Sequence, residues 1–202
     1  MAPVPTKGNL IATKKSLDLS RVGYELLDRK RNILIREMMN YIDAAAELQG
    51  KVDSTYAAAY SALMRANTTM GNCADVASTM PPDDSLSISF RSVMGVELPT
   101  VTMTEGEVVR MPYGLSTTCS MLDEAYLRFM DVKRLTAKLA EVENCVYRLA
   151  DAIKKTQKRA NALKNILIPK FEEEVRFITD ALDEKEREEF ARLKVIKSMS
   201  ES

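Results

Sequence analysis

Apolar residues recur every seven residues along two long segments of the chain. Counted from Leu10 onward, the first position of the repeat is apolar at eight of nine places and the fourth at five of nine. In the second segment, from Val132 to Leu167, the same two positions are apolar at ten of eleven places, and the exception is Thr156. A 3.5-residue spacing keeps one face of a helix on a partner helix. The pattern therefore predicts two long coiled-coil helices, the first with a narrow, alanine-rich seam.

Proline and glycine divide the chain into three parts. There is no proline between Gly8 and Asn72, and from Ser120 to the end there is one proline, Pro169, and no glycine. Residues 73–119 carry four of the seven prolines and three of the seven glycines. Because both residues interrupt helices, we predict an N-terminal coiled-coil helix over 1–72, a turn-rich insert over 73–119 and a C-terminal coiled-coil helix over 120–202, kinked near Pro169.

Two helical arms of similar length joined by one insert predict an antiparallel hairpin with both chain ends at one tip. Thr6 is expected to cap the first helix, and Ser120 with Asp123 to form a capping box at the start of the second. Pro169 removes one backbone hydrogen bond and predicts a kink or a local change of winding. Beyond it the apolar pattern changes phase, to Val175, Ile178, Leu182, Phe190 and Leu193.

The insert contains a different periodicity. Residues 86–91 alternate apolar and polar, which is the period of a half-buried strand. Met94 and Gly95 then offer a turn, and alternation resumes at Val96, with Pro99 suited to an edge. A small β-hairpin is predicted over about 85–103. The expected fold class is thus all-α dominated: a long antiparallel two-helix coiled-coil hairpin with a small central insert that contains a short β-hairpin.

The composition removes several classes of chemistry. The chain has no histidine, which excludes a Ser-His-Asp triad and histidine-ligated zinc. Its three cysteines lack CxxC spacing and are expected to be reduced, buried apolar residues. There is no phosphate-binding P-loop sequence, and Asp83-Asp84 lacks the glycine turn of a cation loop. We therefore predict no catalytic, cofactor-binding or metal-binding residues, and a mechanical or scaffolding role.

Two further exclusions concern nucleic acid and membranes. Lys+Arg and Asp+Glu are 29 each, so no excess of basic charge is available to hold phosphates. The longest run without a charged residue, 111–122, is broken by Pro112 and Gly114 and is shorter than the roughly 18 residues that a spanning helix needs. Lys14 and Lys15 interrupt the early apolar stretch, so no signal peptide is expected.

Charge is distributed in bands. Residues 1–40 and 131–160 each carry eight basic and four acidic groups, whereas residues 172–189 carry three basic and nine acidic groups. One interpretation is a solvated coiled-coil surface with random variation, and the other is a shaft that presents bands of different sign to different partners. Under the second interpretation the candidate partner-contact residues are Lys7, Arg21, Lys154, Lys155, Lys158, Arg159, Met94 and Gly95.

Several segments, in order along nearly the whole chain, resemble one family. They are GYELLDRKR at 23–31, VMGVELP at 93–99, KTQKRANAL at 155–163 with ILIP at 166–169, LDEKERE at 182–188 and RLKVIK at 192–197. These segments are similar to the D subunit of V-type (A/V-type) rotary ATPases, the central rotor axle.

The resemblance implies a non-catalytic shaft that transmits torque between ATP hydrolysis or synthesis and H⁺ or Na⁺ translocation in a membrane ring. The implied partners are the A and B subunits of the catalytic hexamer, the F subunit of the central stalk and the funnel-shaped subunit (C or d) above the ring. No cofactor, nucleic acid or direct membrane insertion is implied, and the location is peripheral on the cytoplasmic face. The residues alone leave open a static coiled-coil stalk or scaffold of another membrane-associated or export complex, a homodimeric scaffold, or an unrelated enzyme.

Overall fold

The chain is mostly helical, with one small sheet. The computed structural model describes residues 4–78, 80, 84–104, 111–114 and 118–200. In chain order the elements are helix α1 (Lys7–Met70), helix α2 (Ala74–Ser78), strands β1 (Leu86–Val93) and β2 (Val96–Met103), helix α3 (Ser120–Ala162), a π-helical turn (Leu163–Leu167) and helix α4 (Ile168–Ser200). A helical hairpin with a two-stranded antiparallel sheet between its arms confirms the predicted fold class.

The chain forms two compact units. One comprises residues 34–152, and the other comprises residues 1–33 together with 153–202. In the unit of residues 34–152, Tyr56 lies opposite Thr136, with their hydroxyl oxygens 3.4 Å apart, and Arg65 contacts Glu124 at 3.3 Å. Partner numbers fall as residue numbers rise, so α1 and α3 run antiparallel here.

The heptad seam forms the core of this unit. On α1 it is made of small side chains, since Ala59, Ala62 and Ala66 are at most 1% exposed. The narrow alanine seam predicted for the first segment is therefore confirmed. On α3 the seam uses larger residues, and Leu149, with no exposed surface, is among the largest fully buried side chains. The remaining buried seam residues of this unit include Leu34, Val52, Val132 and Val142.

In the unit of residues 1–33 and 153–202, a charged residue occupies the seam. Arg31, the exception to the apolar pattern in the first position of the first repeat, donates to Gln157 Oε1 at 2.7 Å and pairs with Asp28 at 2.7 Å. Thr156, the exception in the second repeat, is buried at 6% exposure. Burying a polar group is tolerated when it is hydrogen-bonded. The two terminal nitrogens of the Arg31 guanidinium have partners on both helices, while its Nε is buried without a hydrogen-bond partner.

The π-helical turn explains the change of phase in the apolar pattern. The Ile168 N–H bonds to the Leu163 carbonyl, five residues back, so this turn holds one residue more than an α-turn. Leu167, which the uninterrupted repeat would bury, is 37% exposed, whereas Ile178 on the shifted seam has no exposed surface. The predicted change of winding is present, and it lies immediately before Pro169.

The two helix starts differ in how well the sequence predicted them. Thr6 caps α1 as expected, because its Oγ1 accepts the Asn9 N–H at 3.2 Å. The capping box predicted for α3 is wrong. Cys119 supplies the carbonyl that accepts the first helical N–H groups, and Asp123 Oδ1 instead accepts the Tyr113 hydroxyl at 2.7 Å.

Tyr113 anchors a small core near this helix start. It packs edge-to-face on Tyr126, with ring centroids 5.9 Å apart, and burial together with the Asp123 carboxylate raises the pKa of its hydroxyl. The buried members of this cluster are Ala66, Cys73, Tyr113 and Leu122. All three cysteines are free; Cys73 and Cys145 are buried as expected, while Cys119 is half-buried.

The sheet is one hairpin with a two-residue turn. Its register pairs Val93 with Val96 and Leu86 with Met103. Met94 and Gly95 have φ values of 51° and 76°, the left-handed values that a type I′ turn requires at both central positions. The strands observed at 86–93 and 96–103 agree with the hairpin predicted over 85–103.

Candidate partner-contact surfaces

Helix α3 holds the hairpin through strand β2, the strand that lies beside it. Three α3 side chains spaced i, i+4 and i+7 reach the β2 backbone. Glu141 Oε2 accepts the Val101 N–H at 2.9 Å, Cys145 Sγ donates to the Pro99 carbonyl at 3.4 Å, and Arg148 donates to the Glu97 carbonyl at 3.0 Å. We call Glu141, Cys145 and Arg148 the α3 ladder. This spacing places all three on one helix face, and their bonds occupy three of the backbone groups of β2 that point away from β1.

Burial and ring contacts strengthen the attachment. Cys145 has no exposed surface, and burial raises the pKa of its thiol, so the sulfur keeps the proton that it donates. The Arg148 guanidinium lies 5.5 Å from the centre of the Phe90 ring, within cation–π range. From β1, Arg91 donates to the Tyr41 hydroxyl on α1 at 3.1 Å. The hairpin is thus held by both long helices of its unit.

The apolar face of β1 is not covered by the part of the chain that the structure describes. Leu86 is 43% exposed, and Ile88 and Phe90 are each 59% exposed. The alternation predicts a half-buried strand, and this expectation is wrong for the described residues. One reason is that two of the α3 residues lining the open groove beside this face, Ala137 and Ala140, are too small to fill it.

The four basic candidates on α3 lie close together. Lys154, Lys155, Lys158 and Arg159 are all exposed and flank the buried Thr156, within the unit of residues 1–33 and 153–202. They form a basic patch on the solvent side of the helix, as the sequence predicted. Their role as partner contacts stays a prediction.

Lys7 and Arg21, the two basic candidates on α1, are paired within the chain. Lys7 Nζ lies 2.9 Å from Glu186, and Arg21 lies 2.7 Å from Glu172. The glutamate beside Lys7 raises the pKa of its amine. Both ion pairs join α1 to α4 and so contribute to the packing of these two helices. Any role of Lys7 and Arg21 in binding a partner stays a prediction.

The other two candidates, Met94 and Gly95, form the turn of the hairpin. Met94 is 47% exposed there, and both residues are exposed in the unit of residues 34–152. A contact to a partner at this turn stays a prediction.

Sequence reasoning missed an apolar cavity of about 410 Å³ beside α2. Leu63, Leu122 and Phe129 are among its lining residues, with Cys73 and Met80 from the segment around α2. No periodicity marks this site, because its walls come from three separate segments. The α3 ladder was also missed, although the i, i+4, i+7 spacing of Glu141, Cys145 and Arg148 is visible in the sequence.

The described part of the chain offers no grouping of acidic or cysteine residues that would hold a metal ion. Of the acidic pair weighed in the sequence, Asp83 lies outside the described residues. Within the same ranges, each helix is too short or too polar to cross a membrane.

Comparison with known proteins identifies the family. The family model for the D subunit of ATP synthase matches residues 9–198. The chain belongs to the ATP synthase D-subunit family. It is 44% identical over 199 residues to the D subunit of the V-type ATP synthase of Thermotoga neapolitana, covering 98% of each chain.

Archaeal members of the D-subunit family are also similar. The D subunit of the A-type ATP synthase of Methanosphaera stadtmanae is 36% identical, over 96% of this chain and 92% of its own. That of Pyrococcus horikoshii is 34% identical, over 98% of this chain and 94% of its own. The chain is thus part of a V/A-type ATPase, a membrane-associated complex, and the resemblance stated from the sequence is confirmed.

Proposed function

We propose that this chain is the non-catalytic central rotor shaft of its complex. The observation that carries the proposal is the antiparallel pairing of two helices along a buried apolar seam in both units. Leu149 has no exposed surface in one unit and Ile178 has none in the other. A rod that transmits torque must resist separation of its two helices, and a buried heptad seam supplies that resistance.

The absence of suitable chemistry in the sequence supports a mechanical rather than a catalytic part. The chain has no histidine and no P-loop sequence with which to hold or hydrolyse ATP. In the proposed complex, ATP is processed in the hexamer of A and B subunits, and the shaft couples that reaction to movement of H⁺ or Na⁺ in the membrane ring. The shaft itself lies peripherally on the cytoplasmic face.

Surface charge supports the proposed partners. Exposed charged side chains recur along α1, α3 and α4, which suits a part that turns against a bearing, since deep apolar hot spots would hold it in place. The basic patch of Lys154, Lys155, Lys158 and Arg159 is suited to acidic loops of the hexamer. The F subunit and the funnel-shaped subunit are proposed to bind the unit of residues 34–152, which contains the turn-rich insert.

The test is ATP-driven ion transport in vesicles reconstituted with all other subunits of the complex. Without this chain, transport should fall to background, because ATP hydrolysis in the hexamer has no mechanical link to the ring. Adding the purified chain back during assembly should restore transport. Full transport in vesicles that lack the chain would overturn the proposed function.

A further inference from the structure

Strand β1 has a free backbone edge. Phe90 faces Pro99 and Ile88 faces Val101 in the antiparallel register. Proline has no N–H, and the Val101 N–H bonds to Glu141, so these are non-hydrogen-bonded pairs. The backbone N–H and C=O groups of Ile88, Phe90 and Ser92 therefore point away from β2. Among the described residues, none bonds to them.

The two edges of the hairpin differ in how far their backbone groups are already bonded. Three of the outward backbone groups of β2 bond to the α3 ladder, and β2 also carries Pro99, which cannot donate. The outward positions of β1 carry no lysine and no proline, the devices that proteins use to protect an exposed edge. The described residues thus cover one edge of the sheet and leave the other able to pair.

The side chains on β1 suit a strand partner. Ile88 and Phe90 are each 59% exposed and stand on one face, while the opposite face carries Ser87 and Ser89, which bond to β2. A third strand about 4.8 Å from β1 would place its own alternate side chains beside Ile88 and Phe90. A helix laid over the same face would cover the apolar side chains but leave the outward N–H groups unpaired.

We propose that β1 is an attachment edge for an extended segment of another subunit, which adds to the hairpin as a third strand. The segment is recognised by main-chain hydrogen bonds to Ile88, Phe90 and Ser92 and by apolar side chains at alternate positions. The choice of a subunit of the same complex as the partner rests on the proposed function. The strand pairing itself rests on the geometry of β1.

The experiment compares S92P with S92A in the full-length chain. Proline is tolerated at a strand edge where the N–H does not bond to the neighbouring strand, so S92P removes one outward donor and leaves the β1–β2 ladder intact. S92A keeps that donor and is the matched control. Binding is measured against the complex assembled from the remaining subunits, and amide exchange is measured on the chain alone and in the complex.

Three results support the proposal. S92P should bind about tenfold more weakly than wild type, because an acceptor on the added strand is left unpaired. S92A should bind as wild type does. In the complex, the amides of Ile88, Phe90 and Ser92 should become protected from exchange, while those of Ser87, Ser89 and Arg91, which already bond to β2, should change little.

Other results overturn it. Equal binding of S92P and wild type, with uniform protection across 86–92, would show that a helix or loop covers the face. Protection that rises with concentration of the chain alone would assign the edge to a second copy. Both results leave the proposed shaft intact if ion transport still depends on the chain. If ion transport does not depend on the chain but the alternating amide protection is observed, the proposed shaft function is overturned and the proposed attachment edge is not.

Discussion

A chain that ends after Pro169 should lose ordered structure in the first turns of α1 and, in the assembled complex, most of its torque. The removed residues include Ile178, which is fully buried, and both acidic partners of the α1 ion pairs, Glu172 and Glu186. A fully buried isoleucine contributes about 1.5–3 kcal/mol, whereas exposed ion pairs add little. The lost seam is therefore the main cause of fraying.

Amide exchange over residues 7–21 and the torque of the reconstituted complex measure this effect. A second truncation, after Glu189, is the matched control: it removes Phe190, which is 72% exposed, but keeps Ile178. Its α1 amides should stay protected. Affinity for the F subunit should change little in both truncations, because the proposed F-binding region is not removed. Loss of F-subunit binding with torque intact would show that the orientation of the shaft is wrong.

Leu149→Ala should be the most destabilising single truncation of the α3 seam, costing about 2–5 kcal/mol in the free energy of unfolding. Leu149 has no exposed surface, and a cavity between two long paired helices cannot close without shifting their backbones. Leu127→Ala on the same helix is the matched control, since Leu127 is 43% exposed. Leu127→Ala should lower the free energy of unfolding by no more than about 0.5 kcal/mol.

Denaturant unfolding followed by helical circular dichroism gives both values. Similar costs for the two substitutions would mean that the seam of the residue 34–152 unit does not hold the helices together, and the torsional argument for the shaft would lose its basis.

The sequence predicted the long helices because their seams repeat over many heptads and each exception is local. Arg31 interrupts the pattern, yet it finds Gln157 across the seam at 2.7 Å. The phase change after Pro169 was also visible, because a π-turn inserts one residue and leaves a permanent offset in the apolar positions. Val175, Ile178 and Leu182 follow that offset and are buried or half-buried, as predicted.

Where the pattern ends was not predictable, because periodicity does not show where a partner helix stops. Phe190 and Leu193 continue the apolar spacing but are 72% and 64% exposed. Lys7, in the first turn of α1, already pairs with Glu186, so the seam has no described α1 residues left to cover them.

The candidate contact surfaces were predicted less well than the helices. Alternation in β1 shows which side chains share a face but not whether anything covers that face. The capping box at Ser120 failed because Asp123 is engaged by Tyr113, a residue in the insert whose position no local pattern gives. The α3 ladder bonds to a hairpin that is distant from it in the sequence. Its i, i+4, i+7 spacing could therefore be interpreted only once the position of the hairpin was known.

The central claim, that this chain rotates within its complex, is tested most directly by watching it turn. The A/B hexamer is fixed to a surface, and a probe is attached to a cysteine in place of the exposed Asp75, in a chain whose three native cysteines are replaced by alanine. On addition of ATP the probe should rotate continuously in one direction. A probe that stays at a fixed angle while the hexamer hydrolyses ATP would show that the chain is a static stalk.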